Sequence, residues 1–169
     1  MTTAAAGHRV LILFAHPALH RSRVNRALVR AVRDVADVTF HDLSELYPDF
    51  DVDRVHEQEL LLRHDLLVLQ HPLYWYSTPA LVKQWIDVVL EHGWAYGAGG
   101  EALRGKRMLS VITAGGGERA YTPDGVNGHT IGQLHPGSGP GQRPNRGGRD
   151  AAVRGDVVHP VEPSPRGEH

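Results

Sequence analysis

The chain contains no cysteine, which excludes a disulfide scaffold and thiolate metal sites and fits a cytosolic setting. It also lacks any long apolar run. The N-terminal one covers residues 10–15 only, too short for a signal-peptide core or a membrane span, so a cytoplasmic protein is expected. Neither sign of charge dominates: 18 Lys and Arg against 19 Asp and Glu leave a net charge of −1, which argues against nucleic acid or an anionic membrane as partner. The glycines of a dinucleotide fingerprint are missing, and so are a GxSxG elbow and an HExxH pair. Twelve histidines invite a metal, but His16 and His20 are separated by Pro17, and no metal site is expected. Finally, residues 135–169 hold no Leu, Ile, Met, Phe, Trp or Tyr, while 7 Gly and 6 Pro occupy those positions. Such a composition buries too little apolar surface to offset ordering entropy, so a folded domain over 1–134 and a disordered Gly/Pro-rich tail over 135–169 are expected.

What remains has an alternating grammar. The run RVLILFA, residues 9–15, ends at His16-Pro17 and reads as a central parallel strand. Ser22 is a plausible cap for a helix over 23–34 with Val24, Leu28, Ala31 and Val35 along one face. A short strand at 38–41, a loop over 42–53, and a polar helix over 53–63 with Val55, Leu60 and Leu61 inward follow. Then come a third strand at 66–70, a strong helix at 79–92 and a fourth strand at 107–113. Strands alternating with helices imply βαβ units in a parallel sheet, an α/β fold of doubly wound type.

Ligands of such sheets sit at the carboxyl ends of the strands, and three loops there have suitable chemistry. In AHPALHRSRVN a phosphate would meet free amides at a helix N-terminus, with Ser22 and Asn25 adding hydrogen bonds and His16 and Arg23 polar or positive contacts; the same residues could equally be a plain helix cap. The second loop, HPLYWYSTP, carries Tyr74, Trp75 and Tyr76, which could border a flat ring or simply pack in a core or an interface. The third, TAGGGE, has Gly115, Gly116 and Gly117, where a ligand can approach backbone closely. Each loop alone is weak evidence. Their convergence on one crevice points to a flavin.

The segments VLILFAHPALHRSRVN, LYPDFDVD, HEQELL, QHPLYWYSTPALVKQWIDVVLEHGWAYG and GGEALRGKRMLSVITAGGGE, within residues 9–118, resemble the flavodoxin-like NAD(P)H:quinone oxidoreductases. The likeness is strongest to the KefF-type ancillary subunits of glutathione-gated potassium efflux. That resemblance implies a flavodoxin-like sheet of order 2-1-3-4-5 and FMN, with FAD possible, at the strand ends. It implies NAD(P)H as co-substrate, a quinone or similar small acceptor in ping-pong turnover, a homodimer, and a potassium efflux transporter as possible partner at the membrane's inner face. By position, His16, Ser22, Arg23, Val24 and Asn25 would hold the flavin phosphate and ribityl chain. Leu73, Tyr74, Trp75 and Tyr76 would border the ring, and Thr113, Ala114, Gly115 and Gly116 its other edge. Tyr121 would steady the reduced flavin as the catalytic residue, while Asn127 stands where relatives place a histidine, with His129 two residues later. The family's TTGG becomes TAGG at Ala114, and nothing after Leu134 reads as its fifth strand or last helix. That leaves open a non-enzymatic regulatory partner, or a C-terminally damaged relative.

Overall fold

Five consecutive apolar residues, Val10–Phe14, form β1, which is covered on both sides as a strand lacking polar alternation must be. The computed structural model describes residues 9–134, and the expectation for 135–169 lies outside the described residues. β2 (Val38–Asp42), β3 (Leu66–Pro72) and β4 (Arg107–Thr113) join β1 in one sheet of order β2-β1-β3-β4, every pair parallel. Leu11 lies beside Thr39 and Leu67, and Leu67 beside Met108. This is the flavodoxin-like arrangement, and among the described residues the sheet stops at its fourth strand. No helix among them is long and apolar enough to cross a membrane.

One sheet face carries the main core. Leu11, Leu13, Ala15 and Leu69 pack there with Leu43, Tyr47, Val52 and Leu61, and with Leu81, Val82, Trp85 and Val89 of α4 (Ala80–Val89). Within it sits a fully buried carboxylate, Glu57 of α3 (Arg54–Leu62). Its Oε1 accepts from the Tyr47 hydroxyl at 2.7 Å and pairs with His41 Nε2 at 2.7 Å, and its Oε2 accepts from Trp85 Nε1 at 2.8 Å. Burial alone would raise the pKa of this carboxyl, but the hydrogen bonds from His41, Tyr47 and Trp85 outweigh it and hold the pKa below the ordinary value.

The inward face of α3 runs through Glu57, Leu61 and the following His64, not through Val55, which is 58% exposed. The loop expected over 42–53 also holds a turn of helix, α2 (Leu43–Leu46), capped by the Asp42 carboxylate accepting from the Ser44 and Glu45 amides.

α1 (Arg23–Val32) lies on the opposite face, tied by Asn25 to Thr113 at one end and by Arg33 over the Phe40 ring at the other. Asn25 and Val29 point inward, whereas Ala31 and Val35 of the expected stripe are exposed. Leu109 and Val111 of β4 are only half-buried on that side. The outer side of α1 carries Arg23, Arg26, Arg30 and Arg33, with no acid in its first turn. Each like-charged neighbour at i,i+3 or i,i+4 costs an isolated helix about 0.2–0.5 kcal/mol. Arg23 in the first turn also opposes the helix dipole.

Candidate functional site

The chain leaves β1 to one side for β2 and returns to its other side for β3, so loops diverge above β1 and β3 and leave a crevice. A cavity of about 520 Å³ opens there. His16, Ser22, Arg23, Val24 and Asn25 line it from the first loop, Leu73 and Tyr74 from the second, and Thr113, Ala114 and Gly115 from the third. Asn25, Tyr74 and Gly115, from three separate stretches of sequence, thus share one space.

Ser22 caps α1: its Oγ accepts from the Asn25 amide at 3.3 Å and from Asn25 Nδ2 at 3.1 Å. The amides of Arg23 and Val24 have no acceptor within the helix, as first-turn amides never do. Asn25 Nδ2 also donates to Thr113 Oγ1 at 2.9 Å, joining the first loop to the end of β4, while its buried Oδ1 has no partner. His16 Nδ1 accepts from the Ala18 amide at 3.0 Å, which puts the proton of a neutral ring on Nε2. Burial, with His20 nearby, lowers its pKa against the opposing hydrogen bond from its own backbone. His16 therefore offers the cavity a neutral donor, not the positive charge its residue type allowed.

The aromatic loop is a tight turn closed by Tyr74 N–H to Ser77 O at 3.0 Å and Ser77 N–H to Tyr74 O at 2.9 Å. Its two central residues, Trp75 and Tyr76, have φ of 49° and 63°. Such a turn suits Asn and Gly; a left-handed conformation costs other residues roughly 1–2 kcal/mol each. Trp75 is 94% exposed, so it does not pack in the core of this chain. Trp75→Asn should therefore raise stability by about 0.5–1 kcal/mol in a thermal melt, since nothing buried is lost and the strain is relieved. A loss of stability would mean that the indole is covered in solution.

Tyr76 is held from outside the turn. Its hydroxyl donates to Asn127 Oδ1 at 2.9 Å, and Asn127 Nδ2 donates to Ala120 O at 2.9 Å. A second cavity of about 200 Å³ lies here, lined by Leu73, Trp75, Tyr76, Tyr121 and Asn127. Leu73 borders both spaces. Tyr121 thus stands beside the aromatic turn, and Asn127, not His129, lines the space with it. Gly116 lines neither cavity: a Cβ there would lie 3.1 Å from the Tyr121 ring, so the missing side chain makes room for Tyr121. A Cβ on Gly115 would meet no protein atom within 4 Å.

Ala18, Arg21 and Pro72, which complete the larger cavity, lie within the loops that the sequence marked but were not named among the cofactor contacts. Sequence reasoning missed Glu57. The signal was available: Glu57 precedes the inward Leu61 by one helical turn. His41, His56 and Glu57 bring donor atoms within 4.8 Å of one another, as a metal would require. Both Glu57 oxygens, however, already accept from Tyr47, Trp85 and His41, so the set acts as a hydrogen-bonded core polar network.

Residues 8–137 match the family described as having a flavodoxin-like fold. The chain is 52% identical over 119 residues to the glutathione-regulated potassium-efflux system ancillary protein KefG of Pectobacterium carotovorum subsp. carotovorum (strain PC1), covering 70% of this chain and 65% of that protein. It thus spans slightly less than two thirds of that relative's length. Among solved structures, a thermophilic tryptophan halogenase from Streptomycin violaceusniger is 46% identical, over 73% of this chain and 72% of that one, with a TM-score of 0.71. General stress protein 14 of Treponema denticola, solved in complex with FMN, is 39% identical over 75% and 73%, with a TM-score of 0.72. An NADPH-quinone reductase from P. pentosaceus is 33% identical over 89% and 84%, with a TM-score of 0.71. Names this diverse on one fold mean that the reaction has to be argued from the site.

Proposed function

This chain belongs to the flavodoxin-like fold family, and from that premise we propose that it is an FMN-dependent NAD(P)H oxidoreductase acting on quinones or similar small acceptors. The observation that carries the reading is the joint lining of one cavity by Asn25, Tyr74 and Gly115 at the carboxyl ends of β1, β3 and β4. The residues present fit the cofactor: the buried Asn25 Oδ1 lacks a partner, and the Gly115 backbone meets open space. The amides of Arg23 and Val24, with Ser22 and the neutral His16, would hold the phosphate at the start of α1. Leu73 and the turn Tyr74–Tyr76 would border the ring on one edge, Thr113, Ala114 and Gly115 on the other. FMN, with FAD the wider alternative, would supply two-electron redox chemistry between NAD(P)H and a small acceptor, in ping-pong order. Tyr121 would offer its hydroxyl to the ring edge, with Asn127 holding Tyr76 in place beside it. A homodimer would cover Trp75 and Tyr96, which are 94% and 58% exposed.

The test is reconstitution of the full chain with FMN, followed by quenching of flavin fluorescence. Tight stoichiometric binding and NAD(P)H-dependent bleaching of the flavin absorbance are expected. Protein that leaves FMN fluorescence unchanged sinks the reading.

The likeness to KefG favours a second role beside the first, as cytoplasmic regulatory partner of a potassium efflux transporter. A chain that activates such a transporter while its FMN cavity is blocked would show that the two roles separate.

A further inference from the structure

The charge of α1 is gathered on one side. At 3.6 residues per turn, Arg23, Arg26, Arg30 and Arg33 fall within about 80° of each other, along roughly 15 Å of helix. All four are exposed. Arg33 rests 5.8 Å over the Phe40 ring and is attracted by Asp42, and Arg26 donates to the His20 carbonyl. Arg23 and Arg30 have no acidic partner among the described residues, whose ion pairs all lie elsewhere. This row breaks charge alternation along its length and dipole complementarity at Arg23, in a chain with 19 acidic residues available for interleaving. Local rules broken without local compensation mark surfaces kept for function.

The geometry points to the outer face of α1 as a docking surface for an acidic segment of a partner protein, its carboxylates spaced at one helical turn. Guanidinium forks match carboxylates two bonds at a time. The row is one helix wide and the chain's net charge is −1, so it offers a narrow segment its match but no broad basic field for a flat membrane or a duplex. Ala27 and Ala31 flank the row, with no exposed aromatic or leucine on α1 to enter a bilayer. Arg21 and Arg23 also line the large cavity, which brings a docked segment to its rim. The inference does not depend on flavin binding.

Fluorescence anisotropy of the full chain with a labelled helical peptide bearing glutamate at i, i+4 and i+7 tests it. Salt-sensitive binding is expected, weakened about tenfold or more in R26E/R30E and unchanged in R63E/R104E, which alters net charge equally at exposed arginines elsewhere. Should circular dichroism show that reversal disturbs α1, R26Q/R30Q gives the reading, with a weakening of about threefold expected. Absence of binding by the wild-type chain would overturn the proposal, as would equal weakening in both reversal variants or unchanged affinity in R26Q/R30Q. Tighter capture of phosphatidylglycerol vesicles or duplex DNA, lost in R26E/R30E, would assign the face to those ligands instead.

Discussion

Glu57→Ala is expected to remove about 4 kcal/mol or more of folding stability, most of what a domain of this size has. The side chain is wholly buried and accepts from three segments at once: His41 on β2, Tyr47 after α2, and Trp85 on α4. Removing it strands those donors in the core, and each unsatisfied group costs roughly 1–3 kcal/mol. Urea unfolding of the variant should show a midpoint near zero denaturant; a loss under about 1 kcal/mol would mean that the three donors find other acceptors. Acid should act in the same direction on the wild type. The folded pKa of Glu57 lies below the ordinary glutamate value, so the stability it contributes is fully present above that ordinary value. That contribution drains away as pH falls through the depressed folded pKa. In Glu57→Gln this part of the acid limb should flatten.

Gly115→Leu should abolish flavin binding while leaving the fold intact. A Cβ at this position meets no protein atom within 4 Å, and its backbone is not in the left-handed region, so the substitution costs the apo chain little. The new side chain would instead project into the space that Gly115 lines together with Asn25 and Tyr74. We expect affinity for FMN to fall about a hundredfold or more, equivalent to roughly 2.7 kcal/mol, with stability changed by under about 0.5 kcal/mol. Undiminished binding would place the ring edge elsewhere. Gly116→Ala makes the contrast: its Cβ would crowd Tyr121 and Ala120 without entering the larger cavity.

The sheet was legible because β1, β3 and β4 are apolar runs with abrupt ends, and because alternation with helices admits few topologies. The convergence of three loops followed from that order. The phase of α1 was not legible. Periodicity favoured Val24, Leu28, Ala31 and Val35, but the inward position belongs to Asn25, whose partner Thr113 is 88 residues away. A polar residue satisfied by so distant a group looks in sequence like any surface residue. The inward phase of Glu57 was legible from Leu61 one turn on, but its three donors lie in three other segments and were not. α2 escaped because a single turn has no period, although Asp42 carried its capping signal. The neutral state of His16 came from burial, which residue type does not reveal.

The Asn25–Thr113 hydrogen bond has a consequence for biosynthesis. A nascent chain holding only β1, β2 and β3 has the loop that leads into α1 but not the strand end that anchors it. The pocket is therefore completed only after Thr113 has left the ribosome, and any ligand of it would select finished molecules over partly translated ones.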